Sequence, residues 1–304
     1  MKHSIEHQNY LKKKKRTKIL VLCTQLAILM GFLLLWYALV KTKTINEFIF
    51  SSPLNVVRVI TDLIQAGNFW NHIAITCMET AVSFTLAIVL GLIIATLLWF
   101  NSFFAKVMDP YLTILNSLPK VSLGPLIIIW VGANTNSIIV MALMISLIVT
   151  IITIYEGFMH TPDEYLTVLK SFKVSKWKQF YYGVLPANKE TILQSMRVNI
   201  GMCLIGVIMG ELLVSKEGIG YLIMYGSQVF NLDLVIAGVV LLAILSVIMY
   251  YIVIIFGKWI NQKKGLKRPF SMPLSSHLEN SKQRMKYLKQ EQFQSHTEEQ
   301  NSFC

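Results

Sequence analysis

An all-α polytopic membrane protein is the fold class this sequence predicts, on three observations. Hydrophobic residues make up 54% and charged residues 14% of the 304 residues, against roughly 25% charged in ordinary globular domains. Mean hydropathy is +0.56. Long runs carry no charge at all: 19–40, 80–105, 121–155 and 234–257. A crossing needs about 20 apolar helical residues, so the third run holds parts of two spans and a turn. A soluble globular core does not fit these runs.

Charge sets the orientation. Residues 1–18 hold seven Lys/Arg and one Glu, and residues 262–304 hold eight Lys/Arg and four Glu. Ten of the twelve excess positive charges therefore sit in the two tails. That pattern predicts two cytoplasmic tails and an even number of crossings. Lys12 to Arg16 also suit anionic lipid headgroups. No aromatic residues interleave with the basic ones as in base-stacking surfaces, so nucleic acid is not an expected partner.

Six spans follow in order: about 19–40, 78–100, 110–131, 137–155, 191–213 and 234–257. Five spans is the competing count, because Arg197 and Glu211 interrupt the fifth. The first apolar run is too long for a signal peptide and lacks a convincing cleavage site, so it reads as a retained anchor. Residues 41–77 form an external segment with Ser51-Ser52-Pro53 as a turn signal. Residues 101–108 are a short inner loop and 132–136 a tight outer turn. Residues 156–190 lie inside and 216–233 outside. The expected organisation is an N-terminal tail, anchor and external segment over 1–72, then a transport core over 73–260. A polar cytoplasmic tail, disordered or a solvated helix, closes the chain over 261–304.

Mechanism-bearing residues cluster in three places. Pro119 and Pro125 fall inside the third span, where each removes a backbone donor. In hydrocarbon the freed carbonyls need protein or a water-lined path. The segment is therefore expected to kink and to face other helices, either as a packing kink or as a pathway lining, and Lys120 points the same way. In the fifth span Gly206 and Gly210 form a small-xxx-small step that permits close helix approach. Arg197 and Glu211 stand fourteen residues apart, about 21 Å along a helix, near opposite faces. They either anchor the helix ends or gate the pathway. No histidine or acid is expected in the interior of the other spans. A proton-coupled carrier would need one.

The inner loop carries the third set. Thr161 reads as a helix cap, with Pro162 at the first position and Glu164 completing a capping box. Tyr165, Leu166, Leu169 and Phe172 recur at three- and four-residue steps as one apolar face. A second short helix is expected from Ser175 through Trp177, Phe180, Tyr181 and Val184, ending at Pro186. These faces are buried either against each other or against a partner. Cys23, Cys77, Cys203 and Cys304 show no metal-like spacing and read as packing residues. No phosphate-binding Gly-Lys-Ser/Thr loop occurs, and Gly218-Ile219-Gly220 reads as an external turn. No cofactor or metal in this chain is expected, and no catalytic cluster.

Four segments in order give a resemblance. Ser117-Leu-Pro-Lys-Val-Ser-Leu-Gly-Pro-Leu-Ile-Ile-Ile-Trp-Val-Gly132 resembles the pattern S-I-P-R-x-A-x-x-P-L-x-x-x-W-F-G. Residues 161–186 resemble an "EAA" loop. Met196-Arg197-Val198-Asn199 to Gly210-Glu211-Leu212 resembles a fifth helix, and Glu217-Gly-Ile-Gly-Tyr-Leu222 resembles E-G-L-G-Y-L. Together these are similar to the permease subunits of ABC importers, nitrate/sulfonate/taurine branch, with a type I transmembrane domain over about 73–258. The sequence departs where the EAA falls on Thr167, Val168 and Leu169 and the usual Gly on Lys173. Glu79 stands where relatives are usually basic.

The resemblance implies a non-catalytic subunit of a transporter in the cell membrane of a prokaryote. Its implied partners are a cytoplasmic ATPase that holds ATP and Mg, an extracytoplasmic substrate-binding protein, and a second permease copy. The loop would dock on the ATPase through Tyr165, Leu166, Thr167, Val168, Leu169 and Phe172, with Lys170 and Lys173 at the rim and Pro186 at its end. Pro119, Pro125, Arg197, Gly206, Gly210 and Glu211 would line or gate the pathway. The implied cargo is a small solute: nitrate, sulfonate, taurine, bicarbonate or a thiamine-precursor pyrimidine. An ion-coupled secondary transporter without an ATPase is the alternative.

Overall fold

A computed structural model describes residues 5–263, and every regular element among them is helical. The described residues up to 257 form one compact unit. Of the second, 258–304, only the end of the last helix is described. The polar tail expected beyond it lies outside the described residues.

Helix α1 (Ile5–Lys41) runs without a break from the basic stretch through the first apolar run. Its apolar portion is largely exposed, with Val40 buried near its end, and the helix touches α3. Short α2 (Glu47–Phe50) and α3 (Pro53–Gln65) occupy the segment expected to be a plain external stretch. The Ser52-Pro53 turn signal is the N-terminus of α3: Ser52 Oγ accepts from Asn55 N at 3.2 Å and Pro53 sits in the first turn. Pro there loses a donor that would be unpaired anyway.

Helix α4 (Phe69–Phe100) begins nine residues before the expected start at 78. The earlier start adds His72 to the helix's buried face, where Glu79, already within the expected span, is also buried, against the expectation of no such group there. The inner loop expected at 101–108 is mostly helix, because Asn101 Oδ1 accepts from Phe104 N at 3.0 Å and starts α5 (Ser102–Ser117) at once. Pro110 lies inside α5. A single 3₁₀ turn (Lys120–Leu123) leads to α6 (Gly124–Val131), and the two halves of this segment meet at 86°. The expected kink is thus a full break. Gly132, at φ +95°, and the cap Asn134 turn the chain into α7 (Thr135–Met159).

After a helical loop, α11 (Lys189–Val214) returns along α7, followed by α12 (Ile219–Gln228) and α13 (Leu232–Lys263). Between them, α8 (Asp163–Ser171), α9 (Lys176–Gln179), a π-turn (Phe180–Val184) and α10 (Leu185–Ala187) build the loop. Among the described residues, five helices are long and apolar enough to cross a membrane, or six if the bent pair is one span. Helices α4, α7 and α11 pack together as the centre of the bundle. The loop caps one end of α7 and α11, and α12 caps the other end of α11.

Glycine sets how closely the central helices approach. A Cβ on Gly206 would overlap the Cα of Ala142, and one on Gly210 would lie 2.9 Å from the Cα of Ile138. The small-xxx-small step therefore faces α7 backbone to backbone, within the chain.

Candidate functional site

At the loop end, two polar residues tie the feet of α7 and α11. Asn188 Nδ2 donates to Thr161 Oγ1 at 2.7 Å and to Val184 O at 2.9 Å, and Thr161 Oγ1 donates to Phe158 O at 2.9 Å. Thr161 is thus committed to the loop base and is not the cap of α8. The capping box does not form: α8 starts at Asp163 after Pro162, with no side-chain cap. Asp163 and Glu164 still complement the helix dipole in its first turn. The second helix does not stop at Pro186 either. The chain stays helical through a π-turn, and Pro186 falls within that continuous stretch, in α10.

An aromatic base supports the loop. The Phe180 ring lies 5.3 Å from Phe158, 5.2 Å from Trp99 and 5.5 Å from Phe100 by centroids, and Phe100 lies 4.9 Å from Trp177. Leu166 packs on this cluster. Leu169 sits so close to Gly183 that a Cβ there would be 2.7 Å from it. The apolar face expected to be continuous is therefore divided. Leu166 and Leu169 face the loop's own second half, while Phe172 is 77% and Val168 56% exposed. Thr167, Lys170, Lys173 and Pro186 are also exposed. The side chain of Tyr165 lies outside the described residues. Lys173 adopts the left-handed conformation at φ +54°, at a cost of roughly 1 kcal/mol. A left-handed turn that favours glycine is made here with lysine.

At the other end, three successive N–H groups open α12, and each finds a buried acceptor. Gly218 N donates to His72 Nδ1 at 3.0 Å, Ile219 N to Thr76 Oγ1 at 2.9 Å, and Gly220 N to Glu211 Oε2 at 2.6 Å. Thr76 Oγ1 in turn donates to Glu211 Oε1 at 2.6 Å. An acceptor at a helix N-terminus meets both unpaired donors and the positive dipole end. Gly218 takes φ +105°, and a Cβ on it would overlap the Glu211 carboxylate. Glu211 is 1% exposed. It does not snorkel, and the anchor reading is replaced by an internal clamp joining α4, α11 and α12.

The remaining predicted residues are spread over the molecule. Arg197 lines an open cleft of about 210 Å³ with Ile200, Gly201, Leu204, Ser246, Val247, Met249 and Tyr250. It lies toward the loop end and far along α11 from Glu211. Pro119 and Pro125 are exposed in the single chain and do not pack on its other helices. Lys120 does not point inward. Its Nζ donates to Asn116 O at 2.8 Å and closes the end of α5, where a cation suits the dipole. Between the two ends, Asn199 Nδ2 donates to Thr150 Oγ1 and Cys203 Sγ to Asn199 Oδ1, a buried polar seam between α7 and α11.

Sequence reasoning missed His72, Thr76, Thr161 and Asn188 in these roles. A signal existed for the first two. His72, Thr76, Glu79, Thr80 and Ser83 recur at helical steps along one face of an apolar helix, and all are buried. Asn188 carried none, since a lone Asn after Pro186 reads as loop.

Residues 87–265 match the family described as binding-protein-dependent transport system inner membrane component. Among curated relatives, a probable ABC transporter permease protein of Haemophilus influenzae is 28% identical over 219 residues, 72% of this chain and 89% of the relative. A putative aliphatic sulfonates transport permease, SsuC of Bacillus subtilis, is 26% identical over 212 residues, 70% and 77% of the two chains. Among solved structures, an inward-facing MetNI methionine ABC transporter aligns with TM-score 0.56 at 16% identity, over 66% of this chain and 97% of that one. A bacterial ABC transporter for the import of alginate aligns with TM-score 0.53 at 15% identity, over 84% and 100%. These likenesses give the fold of type I importer permeases. The chain belongs to the family of binding-protein-dependent transport system inner membrane components, in the ABC importer permease branch whose curated members are named for sulfonates, taurine and nitrate.

Proposed function

We propose that the chain forms the translocation pathway of an ATP-driven importer and takes its force through residues 161–186 from a separate cytoplasmic ATPase. The observation that carries this reading is the loop's exposed face. Phe172, Val168, Trp177, Tyr181 and Tyr182 are each more than half exposed on a base of buried aromatics. An apolar surface on a polar loop outside the spans marks a binding surface. The loop is also mechanically joined to both central helices through Thr161 and Asn188. Force applied there reaches α7 and α11 together, because Gly206 and Gly210 lock those helices at backbone contact.

The cargo in this reading is a small solute of the classes named for the relatives: a sulfonate, taurine, nitrate or formylaminopyrimidine. An extracytoplasmic binding protein delivers it, and a second permease copy completes the pathway. That copy offers a covering for the exposed Pro119 and Pro125 break. Phe172→Asp tests the docking surface. It is expected to abolish co-purification of the ATPase while membrane insertion and thermal melting stay as in wild type. Full retention of the ATPase by a correctly inserted Phe172→Asp protein would refute the surface.

A further inference from the structure

Helices α11 and α13 meet at two places and leave a gap between them. Toward the loop end, Leu193, Met196 and Ile200 pack on Val253. Toward the other end, Leu204 packs on Leu241 and Leu245. The α13 lining of the open cleft, from Ser246 to Tyr250, falls between those contacts, and the cleft holds about 210 Å³. Its wall on α11 is one stripe, Arg197, Ile200, Gly201 and Leu204, at steps of three and four residues.

The polar groups on this cleft are unspent. Arg197 is half-buried. Among the described residues, neither its guanidinium nor the hydroxyls of Ser246 and Tyr250 has a hydrogen-bond or ion-pair partner. Elsewhere in the spans a hydroxyl is satisfied by its own helix: Ser146 and Thr150 each donate to the carbonyl four residues back. Ser246 makes no such bond. No acid faces Arg197 from α13, whose only carboxylate is Asp233 in its first turn. Gly201 adds to the picture. A Cβ there meets nothing within 4 Å, so this glycine serves no helix contact within the chain and leaves the cleft floor bare. Arg197 stands eight residues in from Lys189, about 12 Å along the helix. A charge at that depth with no protein partner is a candidate ligand group.

The chemistry selects an oxyanion. A guanidinium presents paired N–H groups in a plane, which match two oxygens of a sulfonate, carboxylate or nitrate. Two hydroxyls remain to donate to a further oxygen, and Val247 and Met249 offer apolar wall for methylenes. Sites for drug-sized ligands run to about 300–1,000 Å³, so this smaller cleft suits a solute of a few non-hydrogen atoms.

We propose that the cleft is a binding site for a small oxyanion, with Arg197 as its fork and Ser246 and Tyr250 as its hydroxyl donors. The assignment rests on the pathway reading and narrows it. Among the cargo classes it selects those with a sulfonate or nitrate group over an uncharged pyrimidine. A phospholipid headgroup carries the same oxyanion chemistry, and the experiment separates the two sources.

The test is equilibrium binding of labelled ethanesulfonate to the full chain in nanodiscs, in phosphatidylcholine alone and with phosphatidylglycerol added. Saturable binding is expected in both lipids, displaced by taurine and nitrate and not by dimethyl sulfone, which lacks the charge. Arg197→Gln should abolish it. Arg197→Lys, which keeps the charge and loses the fork, should weaken it about tenfold, as should Ser246→Ala and Tyr250→Phe. Arg197→Gln should melt as wild type does, since the guanidinium has no internal bond to lose. Absence of saturable binding in both lipids overturns the proposal, as does unchanged binding in Arg197→Gln. Displacement of ethanesulfonate by phosphatidylglycerol assigns the fork to a lipid headgroup and overturns it. A lowered melting temperature in Arg197→Gln assigns the guanidinium to the bundle and equally overturns it. Neither ATPase nor ATP is present, so failure here leaves the loop reading standing, and retention of the ATPase by Phe172→Asp leaves this site standing.

Discussion

Gly206 has a role that no other residue type fits. Its missing side chain lets α11 approach the Cα of Ala142, and any Cβ there overlaps backbone rather than a movable side chain. Overpacking at such a contact costs about 1–3 kcal/mol. Gly201, one turn and a residue earlier on the same helix, faces open space. Alanine there gains roughly 0.5–1 kcal/mol of helix propensity. In detergent melting curves Gly206→Ala should therefore fall below wild type and Gly201→Ala should match or exceed it. Equal shifts in both would show that the α7–α11 contact is looser than described. At this scale the sequence was readable where spacing carried the message, as for Gly206 and Gly210. It was silent where a side chain's partner lies far along the chain. Glu211 reads as a membrane-face charge from sequence. Its hydrogen-bond partner Thr76 is more than 130 residues away, and no local pattern announces it. At Lys173 the resemblance marked a glycine position and left the turn open, and the structure makes it left-handed at φ +54°.

Among elements, α12 depends most on its neighbours. Ten residues make a marginal helix in isolation, and its first three N–H groups are held by α4 and α11. Thr76→Val keeps the shape and removes the hydroxyl shared by Ile219 N and Glu211 Oε1. Leaving a buried donor and acceptor unpaired costs about 1–3 kcal/mol. Amide hydrogen exchange at 218–222 should quicken in this variant while exchange in α7 stays as in wild type. Uniform change across both would mean that the hydroxyl serves the bundle generally and not α12. Of the central spans, α4 and α7 were legible largely from charge-free length, and α11 was read as a span although Arg197 and Glu211 interrupt it. Their ends were not, because caps decide ends. Asn101 turns a loop into α5, and mixed residues 69–77 extend α4 once Phe69 packs into the core. The 86° break was signalled by Pro119 and Pro125, though its size was not, since each proline alone bends a helix modestly and here a 3₁₀ turn separates the two halves.

For the whole molecule, the proposed account reads the arrangement as a relay. A cross-tied helical loop with an aromatic outer face sits at one end. Two helices locked by glycine run from it, and one of them carries the carboxylate that seats α12 at the far end. In the proposed account the source of movement is an external ATPase, so transport must follow ATP and not an ion gradient. The direct test is uptake of a labelled solute of the relatives' classes in cells or proteoliposomes carrying the chain with its ATPase and binding protein. Depleting ATP while ion gradients are clamped should abolish uptake, and collapsing the gradients with ATP present should leave it. Uptake that continues undiminished without ATP and stops with the gradient would contradict the account.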